Sequence, residues 1–162
     1  MNKFLNKNLI AAFFSISTVI LLSAYFIEYV LGYEACNLCL ISRIPYFFVI
    51  IFSLLFFFFK QFKKVILILI LMSFICSVLI SFYHFGVEQG FFDESLVCQI
   101  KSLQPSGTAS ELLQELKNDK PKSCKIVDFK IFGLSLATIN LFISLILSII
   151  TFNSILKNEK NR

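Results

Sequence analysis

The chain has 162 residues, of which 57% are apolar and 15% charged, and its mean hydropathy is +0.82. A water-soluble domain of this length sits nearer half apolar and a quarter charged, so the balance is shifted toward lipid. Twenty-one Phe and five Tyr exclude a disordered chain. The formal charge of +5 does not signal nucleic acid, because the basic residues lie in short clusters between apolar runs and not on one soluble face.

A hydrocarbon core about 30 Å thick takes roughly 20 apolar residues at 1.5 Å rise each. Leu9–Ile27 is an uncharged stretch of 19 residues, Val65–Val87 one of 23 and Ile131–Leu156 one of 26. A fourth apolar run, Leu40–Phe59, is interrupted only by Arg43. The pattern predicts an all-α membrane protein, a single domain over residues 1–162. Its four-helix bundle has spans at about 9–27, 40–59, 65–87 and 131–152 and outward loops at about 28–39 and 88–130. The first run is longer than the apolar core of a cleavable signal peptide and lacks a nearby small-x-small site, so it reads as a retained helix.

Lysine and arginine counts orient the bundle. Lys3 and Lys7, then Lys60, Lys63 and Lys64, then Lys157, Lys160 and Arg162 face one side, with Glu159 the lone acid there. The other side carries Glu28 and Glu34 in the short loop, and six Lys against seven acids in the long one. Both termini are therefore expected in the cytoplasm. Within the long loop, Thr108 and Glu111 fit a capping box ahead of Leu112, Leu113 and Leu116, which predicts a short amphipathic helix. It would lie on the membrane surface or pack on its own loop. The run Phe56–Phe59 reads as lipid-facing.

Of the five cysteines, four fall in the outward segments. Cys36 and Cys39 form a C-x-x-C at the mouth of the second span, and Cys98 and Cys124 lie in the long loop. That spacing is shared by redox and zinc sites, but the orientation puts both pairs where disulfides form and persist. Thiol–disulfide exchange, two structural disulfides and a four-cysteine zinc site are the readings left open. Cys76, in the middle of the third span, reads as a small buried hydrophobe. Thiolates are favoured by helix N-termini and nearby cations, and the start of the second span together with Arg43, four residues on, offers both to Cys39. Pro45 suits a first helical turn, so the helix starts either just after Cys39 or at Ser42 or later, with Cys39 beyond its end. Arg43 also reads as a snorkelling anchor, and His84 either faces the bundle interior or is solvated at the interface. Glu88 shares the His84 face if the helix continues past Gly86.

Three stretches resemble the bacterial disulfide-bond formation protein B (DsbB) family. Cys36-Asn37-Leu38-Cys39-Leu40-Ile41-Ser42-Arg43 resembles its C-x-L-C-x-x-x-R signature. Tyr83-His84-Phe85-Gly86-Val87-Glu88 is similar to a Y-H-x-G-V-E stretch of one branch. Phe132 to Asn140 is similar to the G-x-S-x-A-x-x-N start of the fourth span. The resemblance implies a multi-pass protein of the bacterial inner membrane that reoxidises a periplasmic thioredoxin-fold thiol oxidase of the DsbA type. Electrons would pass to a membrane quinone, ubiquinone or menaquinone. Carried over by position, Cys98 would be attacked by the partner's thiolate, and Cys36 and Cys124 would relay between loops. Cys39 would face the quinone as the charge-transfer thiolate, beside Arg43 and His84. Ser42 stands where the best-known members carry an acid, which leaves the tuning of Arg43 open. A vitamin K epoxide reductase-like relay is a second enzymatic reading, but there the quinone-facing C-x-x-C lies near a later span. A membrane scaffold with structural disulfides is the non-enzymatic one.

Overall fold

The computed structural model describes residues 2–33, 35–59, 62–93, 98, 124, 130–131 and 133–160. Its elements are α1 (Asn2–Tyr29), α2 (Asn37–Ile41), α3 (Ile44–Phe58), α4 (Lys63–Glu88), β1 (Lys130–Ile131), β2 (Leu134–Ser135) and α5 (Leu136–Lys160). Four helical stretches, Asn8–Tyr29, Asn37–Phe58, Lys63–Glu88 and Leu136–Lys157, are long and apolar enough to cross a membrane. Such runs must be helical in lipid, since only an intra-segment ladder satisfies their N–H and C=O groups there. The predicted all-α four-span architecture is the observed one. The amphipathic helix expected around Thr108 to Leu116 lies outside the described residues.

The second crossing is divided. Pro45 has no N–H to continue a ladder, so α2 ends at Ile41, and Ser42 closes it by donating its hydroxyl to the Cys39 carbonyl at 2.8 Å. A new helix, α3, starts after Arg43 with Pro45 in its first turn. The main helix thus starts past Ser42, as the second alternative has it, while Cys39 is itself helical in a separate turn that begins at Asn37, earlier than the sequence pattern predicts. The fourth helix begins at Leu136, because β1 and β2 pair antiparallel as a small hairpin. Gly133, at φ 82°, supplies the left-handed residue its turn requires. Ser135 then caps α5 by accepting the Thr138 N–H at 3.2 Å.

Helix α4 is the central element, packing on α3 and α5, while α1 leans on α3. The larger core gathers Ile10 and Phe13 of α1, Val49 of α3, and Ile70 and Phe74 of α4. The Phe13 and Phe74 rings meet edge-on at 5.5 Å. Most other large side chains point outward, and small hydroxyl residues fill the interior: Ser17, Ser53, Ser77, Ser144 and Thr151 are fully buried. This inverted pattern suits helices surrounded by lipid, whose approach depends on small residues. Phe57, Phe58 and Phe59 are exposed as expected, but Phe56 turns inward into the core. Cys76 departs the other way. It lies on the exposed face of α4, off the buried register that runs through Ser73, Ser77, Ser81 and His84.

A polar weld joins three helices. Tyr46 on α3 donates its hydroxyl to Asn140 Oδ1 at 2.5 Å, and Asn140 Nδ2 donates to Ser81 Oγ on α4 at 2.7 Å. Asn140→Ala removes the hydrogen bonds that link α3 to α4 through α5 and is expected to destabilise the bundle by about 1–2 kcal/mol, with Ser81→Ala costing less. Denaturant titration of the detergent-solubilised protein checks this; a midpoint equal to the parent's would show that the weld contributes nothing.

Candidate functional site

Where α1 and α5 diverge, they enclose a cavity of about 410 Å³ whose other walls come from α2, the head of α3 and the end of α4. Its surface is mainly apolar, with Cys36, Cys39, Arg43, His84, Glu88 and Cys124 supplying the chemistry. Five of the six sequence-predicted site residues therefore line one space. The sixth, Cys98, is bonded to Cys124 in a disulfide with 5.8 Å between Cα atoms. Both of its sulfurs are buried in one cluster with Cys36, Leu38 and Val87, against which Cys39 and Tyr83 pack. The two cysteine pairs, about 60 residues apart in sequence, are neighbours. A four-thiolate zinc site loses two of its ligands to that disulfide.

Cys36 and Cys39 carry free sulfurs 2.9 Å apart. Cys36 is the N-cap of α2 and accepts the Cys39 N–H at 3.4 Å. Its Sγ also lies 3.6 Å from His84 Nε2. The hydrogen bond with the Cys39 sulfur holds the Cys36 thiol well below the usual thiol range, against burial, which pushes it up, and His84 adds to the lowering. The sequence expectation offered the helix terminus to Cys39; the structure offers it to Cys36, because the break at Ser42 makes Cys36 the cap.

Arg43 is 9% exposed, too enclosed for a snorkelling anchor. Its Nη1 donates to Glu28 Oε2 at 2.5 Å, and its guanidinium carbon lies 4.8 Å from the Tyr25 ring centre. The four-residue spacing from Cys39 does not act as a continuous helical turn, because α2 and α3 are separate. Arg43 and Cys39 line the same cavity instead. The acid paired with Arg43 is Glu28, from the last turn of α1. Sequence reasoning counted Glu28 only toward loop charge; the signal available was an acid at the end of an otherwise uncharged span.

His84 is 4% exposed, so it faces the interior and is not solvated at the interface. Helix α4 continues past Gly86, and Glu88 falls on the His84 face with Oε1 3.6 Å from Nε2. Gly86 permits this end to close: Phe92 donates its N–H to the Gly86 carbonyl, and a Cβ on Gly86 would sit 2.1 Å from the Phe92 ring. Ser135, the α5 cap, donates its hydroxyl to Glu88 Oε2 at 2.5 Å. Neither Ser135 nor Thr138, 2.9 Å from it, was read from sequence as part of a site.

An apolar slot of several hundred cubic ångströms with a few convergent polar groups is the ordinary form of a small-ligand site. Beside a close-set thiol pair with the Cys98–Cys124 disulfide packed next to it, that form suits thiol–disulfide chemistry. Comparison with known proteins agrees with the sulfur arrangement. The family model described as disulfide bond formation protein DsbB matches residues 6–153. A protein of Rickettsia prowazekii (strain Madrid E), named uncharacterized protein RP370, is 34% identical over 136 residues, covering 83% of this chain and 79% of that one. No solved structure matches. The chain belongs to the DsbB family of disulfide-generating oxidoreductases, held in the membrane by four helices.

Proposed function

We propose that this protein reoxidises a soluble thioredoxin-fold thiol oxidase of the DsbA type and passes the electron pair to a membrane quinone, with both cysteine pairs on the periplasmic face of the inner membrane. The observation that carries this reading is the placement of the Cys36–Cys39 pair. It packs against the Cys98–Cys124 disulfide and lines, together with Cys124, the apolar cavity walled by α1 and α5. The charge asymmetry of the connecting segments supports cytoplasmic termini.

Electrons that start on a water-borne dithiol and end in lipid need one station for each phase. The Cys98–Cys124 disulfide is the station for the partner: its thiolate attacks Cys98, the Cys98–Cys124 bond breaks, and the mixed disulfide is resolved by the partner's second thiol. Cys98 and Cys124 are then a reduced pair. Exchange with an oxidised Cys36–Cys39 pair moves the two electrons inward, and the closeness of Cys36 to the Cys98–Cys124 cluster supports Cys36 and Cys124 as the sulfurs that meet. A quinone would accept two electrons and two protons and leave Cys36 and Cys39 oxidised.

The cavity fits such a molecule, since the apolar walls suit a ring and a tail. Arg43 and His84 supply donors for its oxygens, and Cys39 stands in the wall beside them. Glu28 fixes the Arg43 guanidinium, so its remaining N–H groups are aimed without a loss of side-chain freedom on binding.

Cys36→Ser and Cys39→Ser are each expected to abolish quinone reduction by membranes supplied with a reduced partner; normal rates in both variants would overturn the assignment. A partner lacking its second thiol should be trapped as a mixed disulfide through Cys98, and the trap should vanish in Cys98→Ser. Structural disulfides would stay oxidised when reduced partner is added without quinone, whereas relay cysteines accumulate as thiols.

Arg43→Lys, which keeps the charge and loses the planar fork, is expected to raise the KM for quinone by about tenfold or more. Mixed-disulfide formation with the partner should be unchanged. Steady-state kinetics against quinone and partner separately checks this, and an equal loss in both would place Arg43 outside the quinone site.

A further inference from the structure

Glu88 is a buried acid to which nothing above gives a task. It stands at the last residue of α4, beside the sulfur pair, with 7% of its side chain exposed, and His84 is as deeply enclosed at 5%. Charged groups at such a place are costly unless they are paired, and they are rarely kept for packing alone. The two carboxylate oxygens have different neighbours. Oε2 takes the Ser135 hydroxyl, which fixes the plane of the group from the α5 side. Oε1 is turned to His84 Nε2 at 3.6 Å. That same nitrogen is 3.6 Å from Cys36 Sγ, so one imidazole nitrogen stands between a thiol and a carboxylate.

We propose that Glu88, held in orientation by Ser135, is the positioning residue that makes His84 the proton acceptor for Cys36. The S–H bond of Cys36 breaks, an N–H bond forms at His84 Nε2, and the Glu88 carboxylate stabilises the resulting imidazolium. No electron changes hands in this step. The charge of the group as a whole is unchanged, so the sulfur becomes a nucleophile without a proton leaving the cavity. When the sulfur pair is reoxidised, the proton held at Nε2 is available beside the cavity that Arg43 and His84 share. The inference deepens the relay reading above and rests on Cys36 cycling through a thiol.

The other titratable groups around the pair, among the described residues, are Cys39 from α2, Arg43 with its partner Glu28, Tyr46 from α3, Tyr33 ahead of α2 and Tyr83 from α4. The Ser135 end of α5 contributes only hydroxyls. Arg43 is committed to Glu28, which leaves Glu88 as the carboxylate placed to act on His84. Two opposed effects of that carboxylate can be separated by sign. A negative charge near Cys36 acting only through space disfavours the thiolate, so its removal would make the thiol more acidic. A carboxylate acting through His84 favours the thiolate, so its removal makes the thiol less acidic.

The test uses the full chain in detergent, stripped of quinone and reduced with a small dithiol, with iodoacetamide labelling of Cys36 followed by mass spectrometry across pH. Glu88→Gln, which keeps the size and the Ser135 contact, is expected to shift the labelling profile upward by about one pH unit, which slows labelling by about tenfold at pH values below the parent's own midpoint. Ser135→Ala should shift it the same way by less. In a His84→Ala background, where only the through-space effect is left, Glu88→Gln should no longer slow labelling. Faster labelling in Glu88→Gln, or an unchanged profile, would overturn the proposal. If Glu88→Gln unfolds the protein, Ser135→Ala decides: a shift upward supports the proposal and no shift overturns it. Absence of reductant-dependent Cys36 labelling in the parent protein would instead overturn the relay reading, and this inference with it.

Discussion

Pro45 has no N–H to offer the Ile41 carbonyl, so the second crossing cannot run as one uninterrupted helix. The site follows from that gap. A short turn, α2, is left standing ahead of α3, and it brings Cys36 and Cys39 together with Cys36 as its cap. Arg43 falls in the joint between the two helices, where its side chain reaches Glu28 on α1. Had the helix continued, Cys39 and Arg43 would share one face as a fixed i, i+4 pair. The break frees each to be oriented by a different neighbour: the cysteines by His84 and the second disulfide, the arginine by α1.

Lipid sets the rest of the architecture by removing the usual reason for burying large apolar side chains. Ser17, Ser53, Ser77, Ser144 and Thr151 occupy the interior, while Phe, Leu and Ile dominate the outer surface. Small residues allow α4 to approach both α3 and α5, and the Tyr46–Asn140–Ser81 chain of hydrogen bonds fixes their register. Helix α1 is joined mainly to α3. The space left between α1 and α5 is the cavity, so the same packing that holds three helices tightly leaves room beside the fourth.

What could be read from the sequence was whatever a bilayer or a sulfur imposes locally. Four apolar runs of bilayer length must be helices, and paired cysteines announce themselves by spacing. The misreadings concern direction and distance. Cys76 sits in an apolar run with nothing to say which face it occupies, and it faces outward. Phe56 is indistinguishable in sequence from Phe57, yet a turn of 100° per residue sends one inward and the other out. The start of α5 was placed too early because apolar composition continues through a hairpin that Gly133 makes possible. Glu28 and Glu88 were visible as acids at the ends of spans. Their partners, Arg43 and Ser135, lie 15 and 47 residues away, and no local pattern encodes such pairings.

The charges around the cavity form two couples, Arg43 with Glu28 and His84 with Glu88. Beside a hydrocarbon phase an unpaired ion is expensive; Glu28 lowers that cost for Arg43, and His84 lowers it for Glu88 once the imidazole carries a second proton. The Arg43–Glu28 couple is neutral, so Arg43 brings N–H donors to the cavity with little net field. A thiolate on Cys36 adds a negative charge that neither couple compensates while His84 is uncharged. Proton transfer from the sulfur to His84 removes the difficulty, because the new anion and the new cation appear together 3.6 Å apart, with Glu88 Oε1 3.6 Å from the nitrogen that carries the proton. A site built in this way activates its sulfur by moving a proton a short distance within the cavity. That explains why an acid at the end of α4 and a hydroxyl at the start of α5 belong to a reaction between sulfurs.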